Sequence, residues 1–150
     1  MTGVTAADDQ PTNHLSVRSK TVLVIDPAAS MRQLLAEALP EVVGVRVLVA
    51  ADGAEGVEVA RREGAELVLV HLRLPRLDGF GVLSWLRSCP RTSELPAVVI
   101  TAMSEDVARP ALAAGHLVYL RKPFDLYELA DYVRQGLDGG CDRAERRLSA

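Results

Sequence analysis

Four reactive side chains follow short apolar runs at spaced points of the sequence: Asp26, His71, Thr101 and Lys122. Each stands directly after its run or in its last position, where a buried strand is expected to end. In open α/β sheets, functional groups gather at the carboxyl ends of the strands. A carboxylate and an imidazole brought together there can exchange a proton near neutral pH, supply a nucleophile or ligate a transition metal. The sequence therefore predicts one polar pocket at that edge of a sheet.

The elements that position this pocket follow from hydrophobic periodicity. Short apolar runs predict strands at 21–25, 46–50, 67–70, 97–100 and 117–121. Helical stripes follow them, with predicted caps or first residues at Ser30, Asp52, Asp78, Ser104 or Glu105, and Asp125. Pro40 is expected to stop the first helix and Gly64 the second. Strict alternation of strands and helices predicts a parallel sheet with helices on both faces, since parallel neighbours need crossovers, which are right-handed.

One ordinary domain accounts for most of the 150 residues. Residues 1–19 lack a periodic apolar pattern and predict a flexible N-terminal tail, whereas 20–138 form the domain. Residues 139–150 predict a short charged C-terminal tail with no output domain, or an extension of the last helix after a break. The hydrophobic share of 49% and the charged share of 25% are typical of a globular protein with a substantial core.

Charge and cysteine content exclude several classes of protein. The 17 basic and 20 acidic residues give a net charge of -3, which provides no bulk attraction to nucleic acid or anionic lipid. No apolar run approaches the roughly 20 residues needed to cross a bilayer. Cys89 and Cys141 lack both metal-ligand spacing and a disulfide framework. We therefore expect a cytoplasmic protein without nucleic-acid or membrane partners.

Three segments together resemble the response-regulator receiver domain of two-component signalling. His-Leu-Arg-Leu-Pro-Arg-Leu-Asp-Gly at 71–79 is similar to the family's Asp-x-x-Met-Pro-x-Met-Asp-Gly segment, Thr101-Ala102 to its Thr/Ser-Ala switch, and Lys122-Pro123-Phe124 to its Lys-Pro-Phe ending. The resemblance covers about 21–137 and implies a flavodoxin-like, doubly wound (βα)5 fold, with a five-stranded parallel sheet of order 2-1-3-4-5. That order brings the ends of the first and third strands together. It also implies a cis bond in the Lys-Pro unit.

The resemblance fails at the residues that carry the family's chemistry. A working receiver uses an aspartate at the end of the third strand as nucleophile toward a phosphohistidine donor, and two acidic residues after the first strand hold magnesium. Here Pro27 stands at the second of those acidic positions and His71 at the nucleophile position. Imidazole is a poor ligand for a hard cation that prefers oxygen. The sequence therefore predicts an atypical pseudo-receiver that lacks the phosphoacceptor aspartate. Such a protein is not an enzyme, has no cofactor or metal site, and binds magnesium weakly or not at all.

The pocket residues have competing interpretations. His71 is expected to hydrogen-bond to Asp26 or Thr101, and Lys122 to pair with Asp26. The leading functional prediction is a stand-alone interaction and regulatory module in signal transduction that works without aspartyl phosphorylation. A small-ligand or pH sensor built on the pocket is one alternative, and unconventional phosphotransfer at His71 is another. A transition-metal site at Asp26 and His71 has fewer ligands than zinc sites use.

The resemblance implies a partner face made by the helix at 104–114, the fifth strand and the last helix. Thr101 and Tyr119 resemble the family's switch pair, which needs a ligand that favours one of its two states. Without phosphate both are expected to be relics, with Tyr119 a core or rim aromatic. Pro110 is expected to kink or shorten the helix, and it forms the predicted interaction face with His116 and Tyr119. The expected occupant is a histidine kinase, another signalling protein or a second copy of the chain.

Overall fold

The computed structural model describes residues 19–102 and 117–139. The elements within them are β1 (Thr21–Ile25), α1 (Ala29–Val43), β2 (Arg46–Ala50), α2 (Gly53–Glu63), β3 (Leu67–His71), α3 (Gly79–Ser88), β4 (Ala97–Thr101), β5 (Leu117–Arg121) and α4 (Leu126–Gly139). The helix predicted at 104–114 lies outside the described residues. So does nearly all of both predicted tails, and the division at 19 and 138 stays a prediction.

The five strands form one parallel sheet in the order β2-β1-β3-β4-β5, as predicted. In its register Ile25 is opposite Val70, and Thr101 is opposite Arg121. The chain order reverses between β1 and β3, and this is the point where open sheets of this kind place their functional groups. The four reactive residues predicted to form a pocket therefore lie along one edge of the sheet.

Two apolar layers cover the two faces of the sheet. Leu23 and Ile25 of β1 belong to a buried cluster that includes residues of α2 and α3. Val22 and Val24 alternate with them and belong to a second cluster with residues of α1 and α4. Because both faces of the central strands are buried, every position in them favours an apolar side chain. This explains the continuous apolar runs that predicted the strands.

The first helix differs from its prediction at both ends. Its N-cap is Ala28 and no side chain caps it, so the prediction of Ser30 as the cap is wrong. Pro40 lies inside the helix, which ends at Gly44 with a φ of 83°. A proline removes one backbone hydrogen bond, but the buried side chains on this helix continue to favour its packing. Glycine reaches the left-handed conformation without strain and therefore ends the helix instead.

The predicted caps at Asp52, Asp78 and Asp125 are confirmed, whereas the one at Ser104 or Glu105 lies outside the described residues. Asp52 accepts a hydrogen bond from the Glu55 N–H at 2.8 Å, and Asp78 accepts one from the Gly81 N–H at 2.9 Å. Asp125 does the same for Tyr127 at 2.9 Å. Gly64 ends α2 with a φ of 71°, as expected. No helix among the described residues is both long and apolar enough to span a bilayer.

Candidate functional site

Asp26 is fixed at the end of β1 by its own backbone neighbours. It is only 3% exposed, and its Oδ1 accepts a hydrogen bond from the Ala28 N–H at 2.8 Å. Its carbonyl oxygen accepts a hydrogen bond from Nη1 of Arg32, also at 2.8 Å. A buried carboxylate needs a donor such as the Ala28 N–H because its loss of hydration is costly. The start of α1 therefore holds this side chain in one place.

The cation that faces Asp26 is Lys122, which follows β5. Its Nζ lies 3.9 Å from Oδ2 of Asp26, and about a quarter of its side chain is exposed. Its backbone N–H donates to the carbonyl of Thr101 at 2.9 Å, which ties the end of β5 to the end of β4. The predicted pairing of Lys122 with Asp26 is confirmed, and so is the predicted cis bond to Pro123.

His71 is half-buried at the end of β3, and its hydrogen bond differs from the prediction. Its Nδ1 accepts a hydrogen bond from the backbone N–H of Arg73 at 3.2 Å, so the predicted bond to Asp26 or Thr101 is wrong. The chain turns directly after β3, and this brings the N–H two residues on to the ring, as happens at the side chains of Asx turns. Because an acceptor nitrogen carries no proton, the neutral ring holds its proton on Nε2.

The charge state of His71 follows from its surroundings. Burial is the main cause that lowers its pKa below the usual 6.5, and the nearby ammonium of Lys122 is the second. The Asp26 carboxylate opposes them to a smaller extent. The imidazole is therefore neutral at pH 7.

The other predicted site residues are divided between the pocket and the core. Pro27 is exposed beside Asp26, and Thr101 is fully buried at the end of β4. Tyr119 of β5 is half-buried and packs against the apolar cluster on the side of α2 and α3. Its predicted role as a core or rim aromatic agrees with this packing, whereas its pairing with Thr101 as a switch stays a prediction. Pro110 and His116 of the predicted interaction face lie outside the described residues.

The donors in this pocket do not fit a magnesium ion. Magnesium takes near-octahedral oxygen ligands, but the side chain of Pro27 has no oxygen and His71 offers nitrogen. Oδ1 of Asp26 already accepts a hydrogen bond and its Oδ2 faces an ammonium. Across residues 19–102 and 117–139, no three side chains of His, Cys, Asp or Glu converge as a metal site would require. The described residues therefore offer an ion pair here in place of a set of metal ligands.

One feature beside the pocket was missed by the sequence argument. The loop from His71 to α3 is attached to the start of α2, where the Gly53 N–H donates to the carbonyl of Pro75 at 3.3 Å. Arg76 Nε also lies 3.2 Å from Oδ2 of Asp52. A Cβ on Gly53 would fall 1.6 Å from the Leu77 carbonyl oxygen, so only glycine fits. The signal available in the sequence was the Asp52-Gly53 pair, although it does not say which segment packs there.

The hydrogen bonds at Asp52 also affect its charge state. The Glu55 N–H is the main cause that lowers the pKa of Asp52, and the guanidinium of Arg76 lowers it further. Asp52 is therefore ionised near neutral pH and serves both as the cap of α2 and as the anchor of Arg76. This double role keeps the loop after β3 close to the edge of the sheet that carries the pocket.

A comparison with protein families agrees with the architecture of this site. The family model for the response regulator receiver domain matches residues 22–134. This chain belongs to that family. The order of the sheet is that of the flavodoxin-like receiver fold. Receiver domains are signalling modules of response regulators.

Relatives of known sequence are similar over the receiver domain. The probable transcriptional regulator ycf27 of Porphyridium aerugineum is 37% identical over 122 residues, which cover 81% of this chain and 49% of the relative. An uncharacterized 14.6 kDa protein in the sodA1 3′ region of Leptolyngbya boryana is 35% identical, with 76% of this chain and 87% of that protein covered. This chain thus spans about half the length of the first curated relatives that it matches.

Solved receiver domains share the fold. The receiver domain of the sensor histidine kinase PA1611 from Pseudomonas aeruginosa has a magnesium ion coordinated in its active site cleft. It superposes with a TM-score of 0.70 at 29% identity, covering 79% of this chain and 98% of that one. The receiver domain of the Francisella response regulator 1452 gives a TM-score of 0.70 at 27% identity, covering 77% and 94%.

Proposed function

We propose that this receiver domain is not phosphorylated by the usual aspartyl route and acts as a protein interaction and regulatory module in signal transduction. The observation that carries the proposal is the composition of the pocket: Asp26 is its carboxylate, Lys122 is the cation paired with it, and His71 ends β3. In a working receiver the position of His71 belongs to the phosphoacceptor aspartate.

The chemistry of phosphoryl transfer supports this proposal. An acyl phosphate forms on a carboxylate, and His71 has none. A metal ion offsets the charge of the phosphoryl group during transfer, but the donors around Asp26 do not suit magnesium. Lys122 already neutralises Asp26 at 3.9 Å. We therefore expect magnesium binding to be weak or absent and the domain to keep one state without phosphate.

The partner is proposed to be a protein. Receiver domains interact with histidine kinases and other signalling proteins, and either class, or a second copy of this chain, can bind without a phosphoryl group. The net charge of -3 provides no general attraction to nucleic acid or anionic lipid. Recognition then depends on local contacts at the surface of the domain.

The test is treatment of the full chain with acetyl phosphate and magnesium, followed by measurement of the intact mass. We expect no added phosphate on the wild-type chain. The matched variant is the double substitution Pro27→Asp with His71→Asp, which restores the acidic side chains at both positions and should gain phosphate in a magnesium-dependent manner. The single substitution His71→Asp should gain only a little, because the second acidic ligand is still missing.

Two results would overturn the proposal. Stable, magnesium-dependent phosphate on the wild-type chain would show that a carboxylate elsewhere accepts it. An acid-labile phosphate that maps to His71 would establish phosphotransfer at the imidazole instead, since phosphohistidine is lost in acid whereas acyl phosphate is lost most readily in base.

A further inference from the structure

The hydrogen bond of His71 depends on the protonation of its ring. Nδ1 accepts from the Arg73 N–H at 3.2 Å, and a ring nitrogen can accept only while it carries no proton. In the imidazolium both ring nitrogens are donors, so Nδ1–H and the backbone N–H would point at each other. The Arg73 N–H lies at an exposed position and can bind water instead. Protonation therefore replaces an attraction with a repulsion.

We infer that His71 is a pH-sensitive latch, in which the neutral ring holds the loop between β3 and α3 and the protonated ring releases it. The inference deepens the proposed function, because it rests on His71 standing in the pocket of a domain that works without phosphate. It names proton binding as a regulatory input to that pocket. Histidine is suited to this role, since its charge changes near physiological pH.

Charged groups around the ring set the direction of the switch. Among the described residues these are Asp26 after β1, Lys122 after β5 and Arg73 in the loop itself. The neighbour of His71 in β4 is Ile100, which carries no charge. Burial and Lys122 together place the pKa of His71 below 6.5. The latch is therefore closed at neutral pH and opens on acidification.

The loop that the latch controls forms part of the surface. An open groove of about 550 Å³ lies beside it and is lined by Leu72, Arg73, Leu74, Asp78 and Phe80. Release of the Arg73 N–H removes one anchor of the loop, while the Leu72 carbonyl still accepts from the Gly79 N–H at 2.9 Å. The anchors at Gly53 and Asp52 remain, so the change is local to the first residues of the loop. Proton binding in the pocket is thereby coupled to the shape of a groove that a partner can contact.

The experiment is an NMR titration of the ¹⁵N-labelled full chain from about pH 8 to about pH 5, with two substitutions of the same residue. His71→Asn keeps an acceptor for the N–H two residues on, as in an Asx turn, but does not titrate. His71→Leu removes both the acceptor and the charge. The readouts are the side-chain nitrogen shifts of His71 and the chemical shift and exchange protection of the Arg73 amide, with protection corrected for the intrinsic effect of pH.

In the wild-type chain the neutral ring should show Nδ1 unprotonated, and the Arg73 amide should follow the titration of His71. Its protection is expected to fall about fivefold on the acid side, as for the loss of one ordinary hydrogen bond. In His71→Asn the protection should stay high at every pH, and in His71→Leu it should stay low. The spectra of both variants report directly whether they remain folded.

The inference is overturned if His71 titrates while the Arg73 amide does not respond, or if the neutral ring carries its proton on Nδ1. It is also overturned if the two variants show the same amide protection. None of these readouts depends on phosphate. A failed latch therefore leaves the proposed function intact, and phosphate found on the wild-type chain in the mass measurement would refute the proposed function whatever the titration of the unphosphorylated chain shows.

Discussion

The ion pair between Asp26 and Lys122 gives the sharpest energetic prediction. At the observed 3.9 Å, Coulomb's law with an effective dielectric constant of about 20 gives an attraction of roughly 4 kcal/mol. Desolvation of the two groups offsets much of that attraction. The carboxylate is almost fully buried, whereas the ammonium keeps a quarter of its surface in water. We therefore expect the net coupling between the two residues to be about 2 kcal/mol.

A double-mutant cycle isolates this coupling. Lys122→Met keeps the length of the side chain and removes the charge, which leaves the Asp26 carboxylate buried without its cation. The expected loss of stability is about 2 to 3 kcal/mol. Asp26→Asn keeps an acceptor for the Ala28 N–H and removes the opposite charge. In that background Lys122→Met should cost less than about 1 kcal/mol, because no carboxylate remains to be paired.

Urea denaturation at neutral pH measures the four free energies of unfolding. A coupling energy within about 0.5 kcal/mol of zero would refute the reasoning, because independent sites add to that precision. The cycle is then repeated with magnesium. Since the pocket does not fit that ion, the coupling should stay the same. A selective gain in stability of the Lys122→Met variant would show that the metal can replace the ammonium.

Three further predictions concern the loop and the imidazole. Gly53→Ala would place its Cβ 1.6 Å from a carbonyl oxygen of the loop after β3. It should cost about 2 kcal/mol or more in urea denaturation, whereas Gly81→Ala meets only a flexible leucine side chain and should change stability by less than about 1 kcal/mol. The wild-type chain should lose stability as the pH falls through 6.5, because the unfolded histidine binds a proton before folded His71 does. The His71→Asn variant should lack this pH-dependent loss of stability. If the free energy of unfolding falls equally with pH in the two chains, the prediction is contradicted. Lys122→Met should raise the pKa of His71 and Asp26→Asn should lower it. If NMR titration shows that the pKa of His71 changes in the same direction in both variants, this assignment of causes is refuted.

Most of the fold could be predicted because its signals are local and consistent. The central strands are buried on both faces, so each one is a continuous apolar run of nearly the length that the sheet uses. The caps at Asp52, Asp78 and Asp125 are short-range hydrogen bonds, which can be predicted from the residue type and its spacing. The order of the sheet came from the resemblance to the family and from the rule for parallel crossovers.

The start and end of α1 were mispredicted because propensity competes with packing there. Ser30 is a good cap by type, yet the Ala28 carbonyl already accepts from the N–H groups of Met31 and Arg32. Pro40 is a helix breaker by type, but one missing hydrogen bond does not outweigh the burial of Leu39, which is 0% exposed. A rule based on single residues contains neither the backbone hydrogen bonds at Ala28 nor the tertiary packing of Leu39.

The position of each pocket residue could be predicted, but its hydrogen-bond partners could not. The ends of parallel strands meet at one edge, so Asp26 and Lys122 were brought together as expected. The partner of His71 depends on the turn directly after β3, and that turn is shaped by contacts with α2 some twenty residues earlier in the chain. Those contacts depend on the close approach of the backbone at Gly53 to the backbone at Leu77. Such an approach leaves no periodic signal in the sequence.

The charges of the pocket give a physical reason for the residues at positions 27 and 71. Three carboxylates at the ends of β1 and β3 would repel one another without a divalent ion, because like charges in a partly buried site are costly. With proline at 27 and a neutral imidazole at 71, one carboxylate faces one ammonium at 3.9 Å and the pocket is balanced without a metal. Restoring only one acidic residue would break that balance. This is why both substitutions together, and neither alone, are expected to restore the chemistry of a working receiver.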